Sequence, residues 1–142
     1  MYMQFSLLSN NAVEPVRHGA GLDIFIPANG YPVTCVPHIV TIIDTQLACQ
    51  IPDQYYGQLA LRSSVGQQGL VLLGGVIDSD YRGPIKVMLI NCTDSPVVLT
   101  SGTRFAQLLV IPILTPQPLL VQPHELTATS RGSKGFGSTG TN

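Results

Sequence analysis

Proline and glycine interrupt this chain so often that long helices are disfavoured from the start. It has 11 Pro and 14 Gly among 142 residues, and each tends to end or kink a helix. The stretches between them are rich in Val, Ile, Leu and Thr, which suit a pleated, half-buried surface. Candidate strands are 3–9, 38–45, 56–61, 70–73, 85–91, 97–99 and 104–111. Turn residues bound them at 27–30, 51–53, Gly66, 82–84 and 101–102. Alternation is imperfect, as in Ile39-Val40-Thr41-Ile42-Ile43, which points to strands buried on both faces. Many short strands at this spacing read as an all-β sandwich or barrel. A brief helix over 103–110 is the competing local reading, and no internal repeat is visible.

Charge narrows the function classes. Only 11% of residues are charged, against 44% hydrophobic, and the net charge is −1. Soluble domains usually carry about 25% charged residues, so part of this surface is expected to be covered in an oligomer. No basic surface advertises long nucleic acid. No apolar run approaches the ~20 residues of a membrane span, and no signal-peptide pattern opens the chain. Neither a nucleic acid nor a membrane is therefore an expected partner. Cys35, Cys49 and Cys92 are far apart and odd in number. They read as small buried hydrophobes in a reducing, intracellular compartment (cytoplasm or nucleus, of a host cell if the chain is viral). His18, His38 and His124 lack the spacing of a ligand cluster.

The texture changes at Pro112. Pro112, Pro116, Pro118 and Pro123 space a mostly uncharged segment that cannot pair as a central strand. The expected division is a barrel domain over 1–111 and an extended arm over 112–142, able to reach a neighbouring subunit. The arm carries Arg131-Gly132-Ser133-Lys134-Gly135-Phe136-Gly137-Ser138-Thr139-Gly140. Glycine lets backbone N–H groups approach phosphate oxygens closely. Arg131 and Lys134 supply charge, and Phe136 offers a face for a flat ring. A flexible Gly/Ser tail fits the same composition.

Four upstream segments carry chemistry. Arg62-Ser63-Ser64, ahead of Gly66, sets one guanidinium and two hydroxyls at a strand end. It suits an oxyanion grip, or a plain helix cap. Gly74-Gly75-Val76-Ile77-Asp78-Ser79-Asp80-Tyr81-Arg82-Gly83 describes a hairpin pocket, where a carboxylate can orient and deprotonate water and a Tyr ring can pack on a sugar or base. Ala20-Gly21-Leu22-Asp23-Ile24 places one acid in an apolar run, to satisfy buried groups or to serve a site. Gly102-Thr103-Arg104-Phe105-Ala106-Gln107-Leu108 embeds Arg and Gln likewise, with a structural salt bridge and an amide hydrogen bond as the bland reading.

In this order the five segments resemble the motifs of the trimeric dUTP pyrophosphatase (dUTPase) family. Those motifs run roughly AGxDL, PRSS, GxIDxDYxG, GxRxAQ and RGxGGFGSTG. Here they stand as AGLDI, LRSS, GVIDSDYRG, GTRFAQ and RGSKGFGSTG, across most of the chain. The resemblance implies an all-β, jelly-roll-like distorted β-barrel of the β-clip type, with an extended C-terminal arm, assembled as a homotrimer with shared sites. It implies hydrolysis of dUTP to dUMP and pyrophosphate by in-line water attack on the α-phosphate, with Mg²⁺ held on the triphosphate. That reaction limits uracil misincorporation and supplies dUMP for dTTP synthesis.

Residue by residue, the resemblance gives Asp78 the attacking water and the deoxyribose 3′-hydroxyl. It puts Tyr81 under the sugar, excluding a 2′-hydroxyl. Uracil would be read by backbone over Gly75, Val76, Ile77 and Lys86. Arg62, Ser63, Ser64 and Gln107, with Gly66 close by, would hold the α- and β-phosphates. Arg131, Gly135, Gly137, Ser138 and Thr139 would clamp the γ-phosphate while Phe136 covers the base. Asp23 would act behind them, near the metal's waters or the phosphate-binding Arg.

Four departures stand out. Leu61 replaces the usual Pro, Lys134 a frequent Gly, and Gln46 a common Gly, while the stretch between Gly69 and Asp78 is shorter than in many cellular members. They suggest a divergent, viral-type branch. The related dCTP deaminases share the fold but use a Glu where Met88 stands here. A non-enzymatic scaffold would be expected to lack Asp78, Tyr81 or the tail.

Overall fold

The computed structural model describes residues 1–137, so the expected tail positions Ser138 and Thr139 lie outside the described residues. Its strands are β1 (Gln4–Leu7), β2 (Val16–His18), β3 (Gly21–Phe25), β4 (Val33–Cys35), β5 (Val40–Asp44), β6 (Leu47–Gln50) and β7 (Tyr55–Leu61). A single helical turn, α1 (Ser63–Gly66), precedes β8 (Leu70–Leu73), β9 (Val76–Ile77), β10 (Lys86–Asn91), β11 (Val97–Leu99) and β12 (Arg104–Pro112). The fold is all-β, as the punctuation requires. The expected strands all form; β2, β4, β6 and β9 are additional, and the Asp23 segment is β3. These are too short, or too uniformly buried, to show a period of two.

The strands form four antiparallel groupings, β2-β3-β12-β7-β9, β5-β10-β8, β1-β6 and β11-β4. Strand β12 runs through the middle of the largest, pairing β3 on one side and β7 on the other. The brief helix considered over 103–110 is therefore strand. A bulge between Arg104 and Ala106 puts two consecutive side chains, Phe105 and Ala106, into the core. One apolar cluster joins this sheet, through Ile24, Leu59, Ile77 and Leu108, to Ile43, Leu70, Val87 and Leu89 of the three-stranded sheet.

The three-stranded sheet is apolar on its other face too. Ile42 and Leu73 flank Met88, and Val40 and Val71 flank Ile90. Ile42 is 60% exposed, Val71 48% and Met88 37%. The doubled hydrophobicity of 39–43 comes from this second face. Of the cysteines, Cys35 and Cys49 are buried but Cys92 is exposed, correcting the expectation that all three are buried. Cys92 lies just past β10, where the chain turns outward. All three are free thiols.

Among the described residues after Pro112 there is no strand, only a 3-10 turn at Pro123–Glu125 closed by Gln122 and Glu125. Among the described residues, hydrogen bonds of 114–134 run only within the arm. Leu114, Leu119 and Leu120 are 85% exposed or more.

Candidate active site

The hairpin of β8 and β10 pairs from Leu70–Asn91 up to Leu73–Met88, then opens. At Gly74 and Gly75 the backbone turns through φ of 66° and 99°, a region that L side chains rarely adopt. The chain swings away from β10 and lays β9 on β7, Ile77 opposite Gly57 and Val76 opposite Gln58. Strand β9 ends its sheet, and β10 has lost its β8 partner beyond Met88. Two backbone edges thus face a cavity of about 210 Å³, lined by Gly75, Val76, Ile77, Asp78, Tyr81 and Lys86 among others. Larger grooves of about 610 and 600 Å³ lie along β1 and lack these groups.

The cavity floor is anchored. Thr45, fully buried, donates its hydroxyl to the Ile85 carbonyl at 2.7 Å, and Ile85 N–H reaches the Leu47 carbonyl at 2.7 Å. Beyond it, Tyr81 N–H closes a turn onto the Asp78 carbonyl at 3.1 Å. Arg82 clasps that turn, donating one guanidinium nitrogen to the Ser79 carbonyl at 2.7 Å and to that of Tyr81 at 3.2 Å. Asp78 itself is exposed. Beside Arg82, burial pushes the Cys49 thiol above its ordinary value of 9.0, and the guanidinium charge pulls it partly back. Sequence reasoning missed Thr45 and the clasp, because a carbonyl acceptor has no residue signature.

The second cluster stands at the far end of β7. Arg62 caps α1 with extended backbone and no side-chain hydrogen bond to the helix. Buried Val65 pins the turn, leaving Ser63 and Ser64 exposed with no hydroxyl hydrogen bond among the described residues. Gln107 on β12 pairs opposite Ala60 and Asp23. Asp23 is 3% exposed, and its carboxylate accepts from Arg104 at 2.8 Å, with His18 at 3.9 Å. The Arg104 guanidinium also lies 5.4 Å over the Phe25 ring. Asp23 therefore holds Arg104 behind the cluster.

These two clusters are not brought together within one chain. The β7–β9 register puts Asp78 level with Tyr56, six residues from Arg62, or ~20 Å at the usual rise per strand residue. Among the described residues 114–134, no hydrogen bond reaches either cluster. In the arm, Arg131 donates Nε–H to the Lys134 carbonyl at 2.8 Å, and Lys134 N–H returns to the Arg131 carbonyl at 3.2 Å. Lys134 does not need the left-handed backbone of a glycine; Phe136, at φ 48°, does adopt it. Gly135 and Gly137 follow on, with Phe136 fully exposed.

A family model for dUTPase matches residues 13–140. The chain belongs to the dUTPase family. A deoxyuridine 5′-triphosphate nucleotidohydrolase of Yarrowia lipolytica is 40% identical over 152 aligned positions, covering 100% of this chain and 91% of that protein. A variant of the Staphylococcus bacteriophage 80alpha dUTPase, solved with dUpNHpp, superposes with a TM-score of 0.84 at 31% identity, covering 99% of both chains. A dUTPase variant from phage phi11 of S. aureus, described as coordinating a structural Mg(II) ion, gives 0.79 at 28% identity, covering 89% of this chain and 100% of that one. This dUTPase is thus an enzyme-family member with the jelly-roll-like fold expected of it.

Proposed function

We propose that the chain hydrolyses dUTP to dUMP and pyrophosphate in sites assembled between copies of itself in a homotrimer. The observation that carries this is the division of the machinery. The cavity beside β9 and the turn at 62–64 stand at opposite ends of β7, and among the described residues 114–134 of the arm hydrogen-bond to neither. Juxtaposing copies joins cavity, grip and arm. The apolar outer face of the β5-β10-β8 sheet supplies a driving force for that assembly.

In the cavity, the open edges of β9 and β10 offer alternating N–H and C=O groups. Uracil's edge pairs with them like an amide, whereas cytosine presents a donor and acceptor interchanged and leaves backbone groups unsatisfied. The Tyr81 ring lies under the deoxyribose and leaves no room for a 2′-hydroxyl. Asp78 accepts a hydrogen bond from the 3′-hydroxyl and from a water. As it draws a proton from that water, the oxygen attacks the α-phosphorus. The bond to the α–β bridging oxygen breaks, and pyrophosphate leaves. Negative charge spreads over the phosphate oxygens, where Arg62, Ser63, Ser64 and Gln107 meet it, and Arg131 with the glycine-rich arm covers the γ-phosphate.

Among the described residues no three His, Cys, Asp or Glu side chains converge as a metal cage. In this proposal Mg²⁺ would ride on the substrate, whose triphosphate oxygens are the hard ligands it prefers, and would offset charge there. Met88, on the outer face of β10, has no proton to shuttle and does not favour deamination.

Asp78→Asn is the direct test. Binding of dUpNHpp should persist while dUTP turnover falls about 10²–10⁴-fold, the span of an acid–base group. Unchanged turnover would remove Asp78 from the role.

A further inference from the structure

The loop that carries Tyr81 contains a seat for its ring. Gly83 keeps a φ outside the left-handed region, so the backbone there does not demand glycine. Space does. A methyl carbon built on Gly83 would lie 2.6 Å from the Tyr81 phenolic oxygen, 2.8 Å from Cζ and 3.0 Å from Cε1. Next along, the Pro84 carbonyl accepts the Tyr81 hydroxyl at 2.8 Å. The ring therefore lies flat across a bare Cα and is tied at its far end. Behind it, Arg82 holds the Tyr81 and Ser79 carbonyls, so the backbone under the ring is fixed as well.

We infer that Gly83, with the Pro84 carbonyl, is the positioning element that sets the tilt of Tyr81, and through it the preference for a deoxyribose over a ribose nucleotide. The inference rests on the proposed place of Tyr81 beneath the sugar. The ring is 43% exposed, so it supplies little core packing. When a side chain at 83 intrudes, the ring rather than the backbone gives way, because a partly solvated aromatic swings more cheaply than a clasped loop deforms. A displaced ring opens the sugar face of the cavity and admits a 2′-hydroxyl. The Pro84 carbonyl is the tether, accepting the Tyr81 hydroxyl at 2.8 Å. Glycine at 83 thus serves specificity rather than folding.

The experiment compares kcat/KM for dUTP and for UTP in the wild type, Gly83→Ala and Tyr81→Phe, with the melting temperature of each. For Gly83→Ala the dUTP-to-UTP ratio should fall about tenfold or more, the worth of a displaced steric contact. Its melting temperature should stay within about 2 °C of wild type. Tyr81→Phe keeps the ring but loses the tether, and should lower the ratio in the same direction by less. An unchanged ratio in Gly83→Ala overturns the inference, and so does a variant whose stability and dUTP turnover drop together at constant ratio. An unchanged ratio in Tyr81→Phe overturns the tether. Failure of the wild type to hydrolyse dUTP would overturn the functional reading instead, so the two outcomes are separable.

Discussion

Asp23 is the one buried carboxylate among the described residues, and Arg104 answers its charge at 2.8 Å. Removing the guanidinium leaves a buried anion without its strongest partner. Arg104→Met should therefore cost about 3 kcal/mol of folding stability, read from denaturant unfolding; a loss under about 0.5 kcal/mol would place the pair among surface ion pairs. The buried thiols give a pH prediction. Burial raises Cys35 and Cys49 above 9.0 in the folded chain. The unfolded chain then releases those protons first as pH climbs past 9.0, and stability falls above that point. The fall in melting temperature from pH 9 to 10 should be shallower in Cys49→Ala than in wild type; equal slopes would contradict it. At this scale the sequence was legible in its residue types but not in their environments. Gln46 holds φ 61° where a glycine is common, its side chain accepting from the Ser9 hydroxyl, and only tertiary contact explains its tolerance. Leu61 simply continues the β7 pairing opposite Ala106.

The hairpin and the arm are the elements to which the proposed function is assigned, and both were legible because turn chemistry is local. Gly74-Gly75 marks the opening, and the prolines mark the arm. The partner of β9 was not legible. Two residues carry no period, and pairing with β7 instead of β10 is decided by the core around Ile77 and Leu59. Among the described residues the hydrogen bonds of 114–134 stay within the arm, which fits the proposal that it works on a neighbour. Deleting 131–142 should leave the assembly intact, with dUTP turnover reduced to a small residue, by light scattering and pyrophosphate release. Dissociation of the truncated protein would make the arm a structural strap instead.

At the scale of the whole molecule, low charge points to a covered surface without saying which one. Register supplies the face we propose: Val40, Ile42, Val71, Leu73, Met88 and Ile90 lie together only because β5, β10 and β8 pair as they do. Ile42→Glu puts a charge on that face, beside Met88, and should yield a monomer with intact β-sheet circular dichroism and no turnover. An assembly of unchanged mass would move the interface elsewhere. The separation of cavity and grip along β7 fits the same proposal, in which one chain would supply only part of each site. The account stands most directly on the products made from purified protein given dUTP, dCTP or dTTP, with and without Mg²⁺. It predicts pyrophosphate from dUTP only, faster with Mg²⁺. Ammonia from dCTP, or no turnover of dUTP, would contradict it.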